Sequence, residues 1–221
     1  MSLSDFEKRF VASASILTLS SMGFFLLRAA ATHTTNFWFL LENLALAWLP
    51  LLFVWLLGHE LKQRRWLSWQ CLALSLLWLV FLPNSWYVLT DFVHVQPSGE
   101  ISLLFDIVLV SNLVFACFTL GFASLYLMHR QLLKRLKPLT AHALVALILL
   151  LSSFAIYMGR ELRWSTWDIV ANPGGLAINI SDRLVDPLGH IHSVNITGLF
   201  FILLVSLYFA IWQWFKPAKD G

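Results

Sequence analysis

Long apolar stretches are the feature that most constrains what this chain can fold into. Six of them follow one another, each close to the roughly 20 residues that an α-helix needs to cross a bilayer. They are Phe10–Ala30, Phe37–Leu57, Trp66–Leu82, Leu103–Met128, Ala141–Met158 and Val194–Phe215. Only 12% of the residues are charged, so lipid must cover much of the surface. The stretches predict an all-α membrane protein with about six transmembrane helices.

The distribution of lysine and arginine predicts how these helices are oriented. With the N-terminus placed in the cytoplasm, the cytoplasmic segments hold Lys8, Arg9, Lys62, Arg64, Arg65, Arg130, Lys134, Arg135, Lys137, Lys216 and Lys219. The outer side holds only Arg28, Arg160, Arg163 and Arg183. Because cytoplasmic loops carry the excess of positive residues, both chain ends are predicted in the cytoplasm. The net charge of +3 follows from this topology, and nucleic acid is not expected as a partner.

A polar segment follows the third predicted helix on the outer side. It runs Leu82-Pro-Asn-Ser-Trp-Tyr-Val-Leu-Thr-Asp91 and reaches His94 three residues later. Proline suits the first turn of a new helix. In an α-helix that starts there, four polar residues share one side: Asn84, Tyr87, Asp91 and His94. The pattern predicts an interfacial or re-entrant helix whose polar side is either hydrated or functional.

A carboxylate near the start of the fourth helix needs a partner. Asp106 lies only a few residues inside that helix, where a charge is costly unless it meets a cation or water. Arg160 or Arg163, at the outer end of the fifth helix, is the expected partner. The alternative to a functional role is a buried ion pair that fixes helix packing.

The third outer loop opens with the segment Gly159-Arg-Glu-Leu-Arg-Trp-Ser-Thr-Trp-Asp168. If the fifth helix continues through it, four residues share a side: Arg160, Arg163, Trp164 and Trp167. Arginine binds phosphate or carboxylate with two parallel hydrogen bonds, and tryptophan stacks on cations. The segment therefore predicts a site for an anionic group, with Asp168 beside it. The alternative is an aromatic belt at the membrane interface with arginines reaching the head groups.

The same loop ends with a second short helix and two histidines. Leucine and isoleucine recur every fourth residue over 176–188, which predicts a helix lying on the membrane. His190 and His192, together with Asp91 or His94, have the residue types of a metal site. Ordinary capping or interface histidines are the favoured interpretation, so neither a metal nor another cofactor is predicted.

The two polar segments resemble the bacterial membrane family DUF1361. Its members carry a similar Leu-Pro-Asn…Tyr…Thr-Asp…His segment and a Gly-Arg…Leu-Arg-Trp…Trp-Asp segment, and the spacing of Gly121, Ser124 and Leu125 also fits. The resemblance covers most of helices three to five and the third outer loop. It implies a multi-pass protein of a bacterial plasma membrane, and it implies no activity because the family has none assigned.

The leading functional hypothesis is a polar pocket at the outer leaflet that binds or acts on an anionic head group or a lipid-linked phosphate. Asn84, Tyr87, Arg160, Arg163, Trp164, Trp167 and Asp168 would bind the substrate. Asp91, His94 and Asp106 are the catalytic candidates, with Asp91 or His94 as general base. Membrane lipids are the expected partners, and whether the protein is an enzyme is left open.

Two other functions fit the sequence. One is a transporter for an ion or small solute, with Asp106, Asn112 and either Asn43 or Glu42 lining a path. The other is a non-catalytic partner subunit whose polar surface binds another membrane protein. One integral membrane domain over residues 1–221 is predicted in every case.

Overall fold

The structure, a computed structural model, describes residues 5–97, 99 and 101–215, which form helices and connecting turns. The α-helices are α1 (Asp5–Thr32), α2 (Trp38–Glu60), α3 (Trp69–Phe81), α4 (Asn84–Tyr87), α5 (Leu103–Leu133), α6 (Pro138–Glu161), α7 (Asp168–Ala171), α8 (Pro173–Val185) and α9 (Ile191–Phe215). A 3-10 helix, Val88–His94, follows α4. Within the described residues, six helical stretches are long and apolar enough to span a membrane. The predicted all-α class and six spans are confirmed, whereas the orientation stays a prediction and Lys216 and Lys219 lie outside the described residues.

The third span is longer than its apolar stretch suggests. Helix α3 is followed directly by α4 and the 3-10 helix, so that Trp69–His94 forms one spanning stretch. Pro83 lies between α3 and α4 and has no N–H to donate, which interrupts the α-helical ladder without ending the helical path. The sequence analysis ended this span at Leu82 because the polar residues that follow lower the local hydropathy.

The chain contains two compact units, Met1–Leu127 and Met128–Gly221, whose boundary falls inside α5. In the first unit, α2 packs against α3 and α4. In the second unit, α6 packs against α9, and the short helices α7 and α8 contact each other. The prediction of a single membrane domain stays a prediction.

A glycine in α5 permits a close approach to α4 within the first unit. A Cβ atom on Gly121 would lie 2.7 Å from Cβ of Ser85 and 2.8 Å from Nε1 of Trp86. Both residues of α4 are fully buried, and the Trp86 ring packs against Phe122 at a centroid distance of 5.5 Å. Any side chain at position 121 would therefore push the two helices apart.

Candidate functional site

The first unit holds a buried ion pair between α1 and α5. Arg28 donates from Nε to Oδ1 of Asp106 at 2.8 Å and from Nη2 to Oδ2 at 3.4 Å. Each side chain is only 3% exposed, and the guanidinium carbon lies 4.1 Å from the ring centre of Phe37. Two charges in such a setting must be paired, because removing both from water is costly. The expected pairing of Asp106 with Arg160 or Arg163 was wrong, and Arg28 is a buried residue rather than a loop charge.

A second buried carboxylate lies on the 3-10 helix. Asp91 is 3% exposed, and Nδ2 of Asn43 in α2 donates to its Oδ2 at 2.7 Å. A 3-10 helix has about three residues per turn, so residues three apart lie in line. The two buried residues of the 3-10 helix, Val88 and Asp91, have that spacing.

The 3-10 geometry changes which polar residues share a side. Asn84 and Tyr87 are half-buried, and Asn84 donates to the carbonyl of Phe81 at 3.2 Å. His94 is exposed, with its ring 5.2 Å from that of Phe39. The predicted common side of all four residues was wrong, because it assumed α-helical geometry beyond Tyr87. In the 3-10 helix His94 lies in line with Asp91, whereas Tyr87 does not.

A third polar contact joins α1 to α5 in the first unit. Nδ2 of Asn112 donates to the hydroxyls of Ser20 and Ser21, each at 2.8 Å. Asn43, Asp106 and Asn112, which the transporter hypothesis placed along a path, thus each bond to a neighbouring helix. Hydrogen bonds of this kind between polar side chains stabilise the packing of transmembrane helices.

In the second unit, α6 ends earlier than the sequence analysis assumed. Its last residue is Glu161, and Arg163 has a φ of 58° in the left-handed region. The N–H of Trp164 turns back to the carbonyl of Met158 at 3.2 Å, which closes the helix end. Glycine is the usual residue at such a position. The predicted common side of Arg160, Arg163, Trp164 and Trp167 was wrong, because α6 does not continue through them.

The two arginines at this helix end have no ionic partner in the part of the chain that the structure describes. Arg163 is exposed and Arg160 is half-buried, and neither guanidinium has a hydrogen bond or ion pair to a described residue. Trp164 is half-buried and Trp167 is 65% exposed on the same segment. Arginines in this state can bind an anion without first breaking another contact.

The carboxylate of Asp168, the first residue of the short helix α7, bonds to Ser165 in the turn before that helix. Its Oδ2 accepts from the backbone N–H of Ser165 at 2.6 Å and from the hydroxyl of the same residue at 2.8 Å. These two hydrogen bonds, the backbone one foremost, hold the pKa of Asp168 below its ordinary value. Asp168 is therefore ionised at neutral pH and engaged with Ser165.

The remaining charged residues at this end of the second unit are paired. Nε of Arg183 donates to the hydroxyl of Tyr157 at 3.2 Å, and Nη1 donates to the carbonyl of Asn179 at 2.9 Å. His190 and Asp182 lie 2.8 Å apart, nitrogen to oxygen. The predicted helix over 176–188 exists as α8, three residues earlier.

His190 and His192, which were considered as metal ligands, each have a carboxylate partner within the second unit. His190 contacts Asp182, and Nε2 of His192 lies 3.3 Å from Oε2 of Glu161. Over residues 5–97, 99 and 101–215, no group of three His, Cys, Asp or Glu side chains is arranged to hold a metal ion. The sequence analysis missed both pairs, because helix rotation decides which residues meet.

A buried histidine cluster at the other end of α6 and α9 was also missed. His129 is fully buried, and its Nδ1 lies 2.9 Å from the hydroxyl of Tyr208. Its ring stacks on Trp212 with centroids 4.1 Å apart and meets His142 edge-on at 4.8 Å. His129 lies in α5 and His142 in α6, so no local sequence motif indicated that they would meet. Stacking and burial mark this cluster as a packing element of the second unit.

The fold defines a multi-pass helical membrane protein, with buried polar pairs in one unit and, in the other, two arginines that have no ionic partner among the described residues. Comparison with protein families matches residues 42–211 to DUF1361, described as a protein of unknown function. The chain belongs to this family. No curated protein and no solved structure matches it.

Proposed function

We propose that this protein binds the phosphate of a membrane lipid at the end of α6, through Arg160 and Arg163. The phosphate belongs either to an anionic phospholipid head group or to a lipid-linked phosphate. In the predicted orientation this end of α6 faces the outer leaflet of a bacterial plasma membrane.

One observation carries the proposal: Arg160 and Arg163 have no ionic partner among the described residues, while the acids around them contact other residues. Glu161 contacts His192 at 3.3 Å, and Asp168 accepts two hydrogen bonds from Ser165. Neither carboxylate is therefore bonded to an arginine. Two arginines held close in sequence, each with a donor fork, match the oxygens of a phosphate.

The surroundings favour a ligand that lies in the membrane. Exposed apolar side chains follow the arginines along α7 and α8, and they include Val170 at 84% and Val185 at 85% exposure. Apolar side chains on short helices beside a spanning segment typically rest in the interface between head groups and acyl chains. Trp164 and Trp167 have the amphipathic rings that such an interface prefers. A lipid phosphate is thus a better match than a soluble anion.

A reaction on the bound phosphate is a separate prediction. Asp91 and His94 stay candidates for the general base, and their convergence with Arg160 and Arg163 stays a prediction. Asp106 is the weakest catalytic candidate, because both of its oxygens accept hydrogen bonds from Arg28.

The test is equilibrium binding of radiolabelled lipids to purified protein in a neutral maltoside detergent. Phosphatidylglycerol represents anionic head groups, a polyprenyl phosphate represents lipid-linked phosphates, and phosphatidylcholine, a zwitterion with no net charge, is the reference. We expect one of the two anionic lipids to bind at least about tenfold more tightly than phosphatidylcholine, and the variant Arg160→Gln/Arg163→Gly to lose that preference.

The matched control removes a different arginine. Arg64 is exposed in the first unit and pairs with Glu60 at 2.7 Å, so Arg64→Gln lowers the net charge without touching the proposed site. This variant should keep the lipid preference. Equal binding of all three lipids by the wild-type protein, or an unchanged preference in the Arg160/Arg163 variant, would overturn the proposal.

A further inference from the structure

We propose that His192 controls the affinity of this site, by cancelling the charge of Glu161 when its imidazole is protonated. The inference rests on the proposed phosphate binding by Arg160 and Arg163, and it adds a residue and a pH dependence to that site. A neutral His192 leaves the Glu161 carboxylate as an uncompensated negative charge next to the arginines. A protonated His192 removes that repulsion.

The contact between these two residues joins α6 to α9. Glu161 is the last residue of α6 and follows Arg160 directly, while His192 lies in the first turn of α9. Their side chains are 40% and 64% exposed, with Nε2 and Oε2 3.3 Å apart. The ring of Tyr157 stands edge-on to it, with centroids 6.4 Å apart.

The balance of charge at this end of the second unit makes one proton matter. Arg160 and Arg163 contribute two positive charges, and Glu161 and Asp168 contribute two negative charges. The lowered pKa of Asp168 keeps that carboxylate ionised throughout the neutral range. The segment is therefore neutral when His192 is neutral, and carries one positive charge in excess when it is protonated.

The other titratable and charged groups on the neighbouring elements are those of α8 and of the turn before α9: Asp182, Arg183, Asp186 and His190. Asp182 contacts both His190, at 2.8 Å, and Arg183, at 3.9 Å. Asp186 accepts from the N–H of Gly189 at 2.9 Å. A proton on His190 is thus matched by Asp182, and not by the acid that follows Arg160.

His190 and His192 consequently form a natural comparison. Both imidazoles contact a carboxylate through Nε2, and both lie at the start of α9 or just before it. Only the partner of His192 is adjacent to an arginine of the proposed site. Histidine changes its charge between about pH 5 and pH 8. Substituting each histidine in turn and measuring binding over that range therefore separates their contributions.

The experiment measures phosphatidylglycerol binding between about pH 8 and pH 6, the range in which histidine titrates. The phosphodiester of this lipid keeps a constant charge over the range, so any change reports on the protein. We expect the wild-type affinity to rise about fivefold on acidification, the effect of one charge at partly screened distance. His192→Gln should bind weakly at both pH values, and Glu161→Gln should bind tightly at both.

His190→Gln is the control and should keep the wild-type pH dependence. A pH dependence that survives in His192→Gln, or one that disappears in His190→Gln, would overturn the inference. Lipid binding that needs the arginines but does not change with pH would also overturn it and leave the proposed function intact. Binding that does not need the arginines would instead overturn the proposed function.

Discussion

The buried polar groups of the first unit and the exposed charges of the second unit follow opposite rules. Arg28 and Asp106 are each 3% exposed and bind each other through two hydrogen bonds. Arg160 and Arg163 lie at a helix end with water or lipid around them, and they have no ionic partner in the described part of the chain. Burial forces a charge to find a partner, whereas exposure leaves it available to a ligand.

This difference separates residues that hold the fold from residues that can bind. Asp106 was a catalytic candidate because a carboxylate within a span is unusual, and its two hydrogen bonds from Arg28 favour a role in helix packing. Arg163 is unusual for another reason, since it keeps a left-handed backbone that glycine would adopt more easily. This backbone conformation at an exposed arginine is one reason to test Arg163 as a ligand-binding residue.

The largest effect is expected from Asp106→Ala. The change leaves the Arg28 guanidinium buried without its counter-charge, which costs about 3–5 kcal/mol in the free energy of unfolding. The measurement is unfolding of the purified protein in mixed micelles of sodium dodecyl sulfate and maltoside detergent. The double variant Arg28→Met/Asp106→Leu should recover most of that loss, since it removes both charges. An Asp106→Ala protein as stable as the wild type would show that the pair is not structural.

The next effect concerns the packing of the first unit. Gly121→Ala places a Cβ atom within 2.8 Å of both Ser85 and Trp86, so α4 and α5 must separate. We expect a loss of about 1–3 kcal/mol in the same unfolding assay. Gly23→Ala in α1 is the control, because nothing lies within 4 Å of its Cβ position. The control should be neutral or more stable by up to about 1 kcal/mol, as alanine favours helix. Equal stability of the two variants would contradict the close approach.

A smaller effect of opposite sign is expected in the second unit. Arg163→Gly relieves the left-handed strain and should raise the free energy of unfolding by about 1 kcal/mol, while phosphatidylglycerol binding falls. Arg163→Ala should lose binding without the gain in stability. The measurement pairs detergent unfolding with lipid binding on the same preparations. If Arg163→Gly were less stable than the wild type, the arginine would have a structural role.

The smallest effect concerns the contact between Asp168 and Ser165. Ser165→Ala removes the hydroxyl donor to Asp168, so the pKa of Asp168 should rise toward its ordinary value. Because the pKa of Asp168 is lower in the folded protein than in the unfolded chain, its contact with Ser165 stabilises the folded protein at pH values above the ordinary pKa. That stabilisation is lost as the pH falls through the lowered pKa. Carboxyl carbon NMR of labelled protein in micelles measures the shift, with Asp168→Asn to assign the signal. An unchanged titration in Ser165→Ala would show that the backbone N–H alone lowers the pKa.

Hydropathy predicted the spans well because the requirement for internal hydrogen bonding in lipid leaves few alternatives to helices. It failed at Trp69–His94, where the spanning stretch continues through Pro83 as α4 and a 3-10 helix. Spacing also misplaced Asp91 relative to Tyr87, since the rotation per residue changes when α-helix becomes 3-10 helix.

The sequence did not predict which polar residues pair across helices. The pairs Arg28–Asp106, Asn43–Asp91 and Glu161–His192 join residues far apart in the chain. Each depends on the rotation and depth of two helices, which a single sequence does not determine. The sequence indicated Arg160 and Arg163 as a pair because they are close in the chain. It did not predict that α6 ends between them or that Arg163 has a left-handed backbone.

The close approach at Gly121 has a consequence for how this chain can vary. Because the indole of Trp86 lies where a Cβ atom at position 121 would be, positions 86 and 121 constrain each other. Within the family, we expect a side chain at position 121 only where position 86 holds something smaller than tryptophan. The segment that carries Asp91 begins immediately after this contact, so a change in either residue should alter how deeply that carboxylate lies.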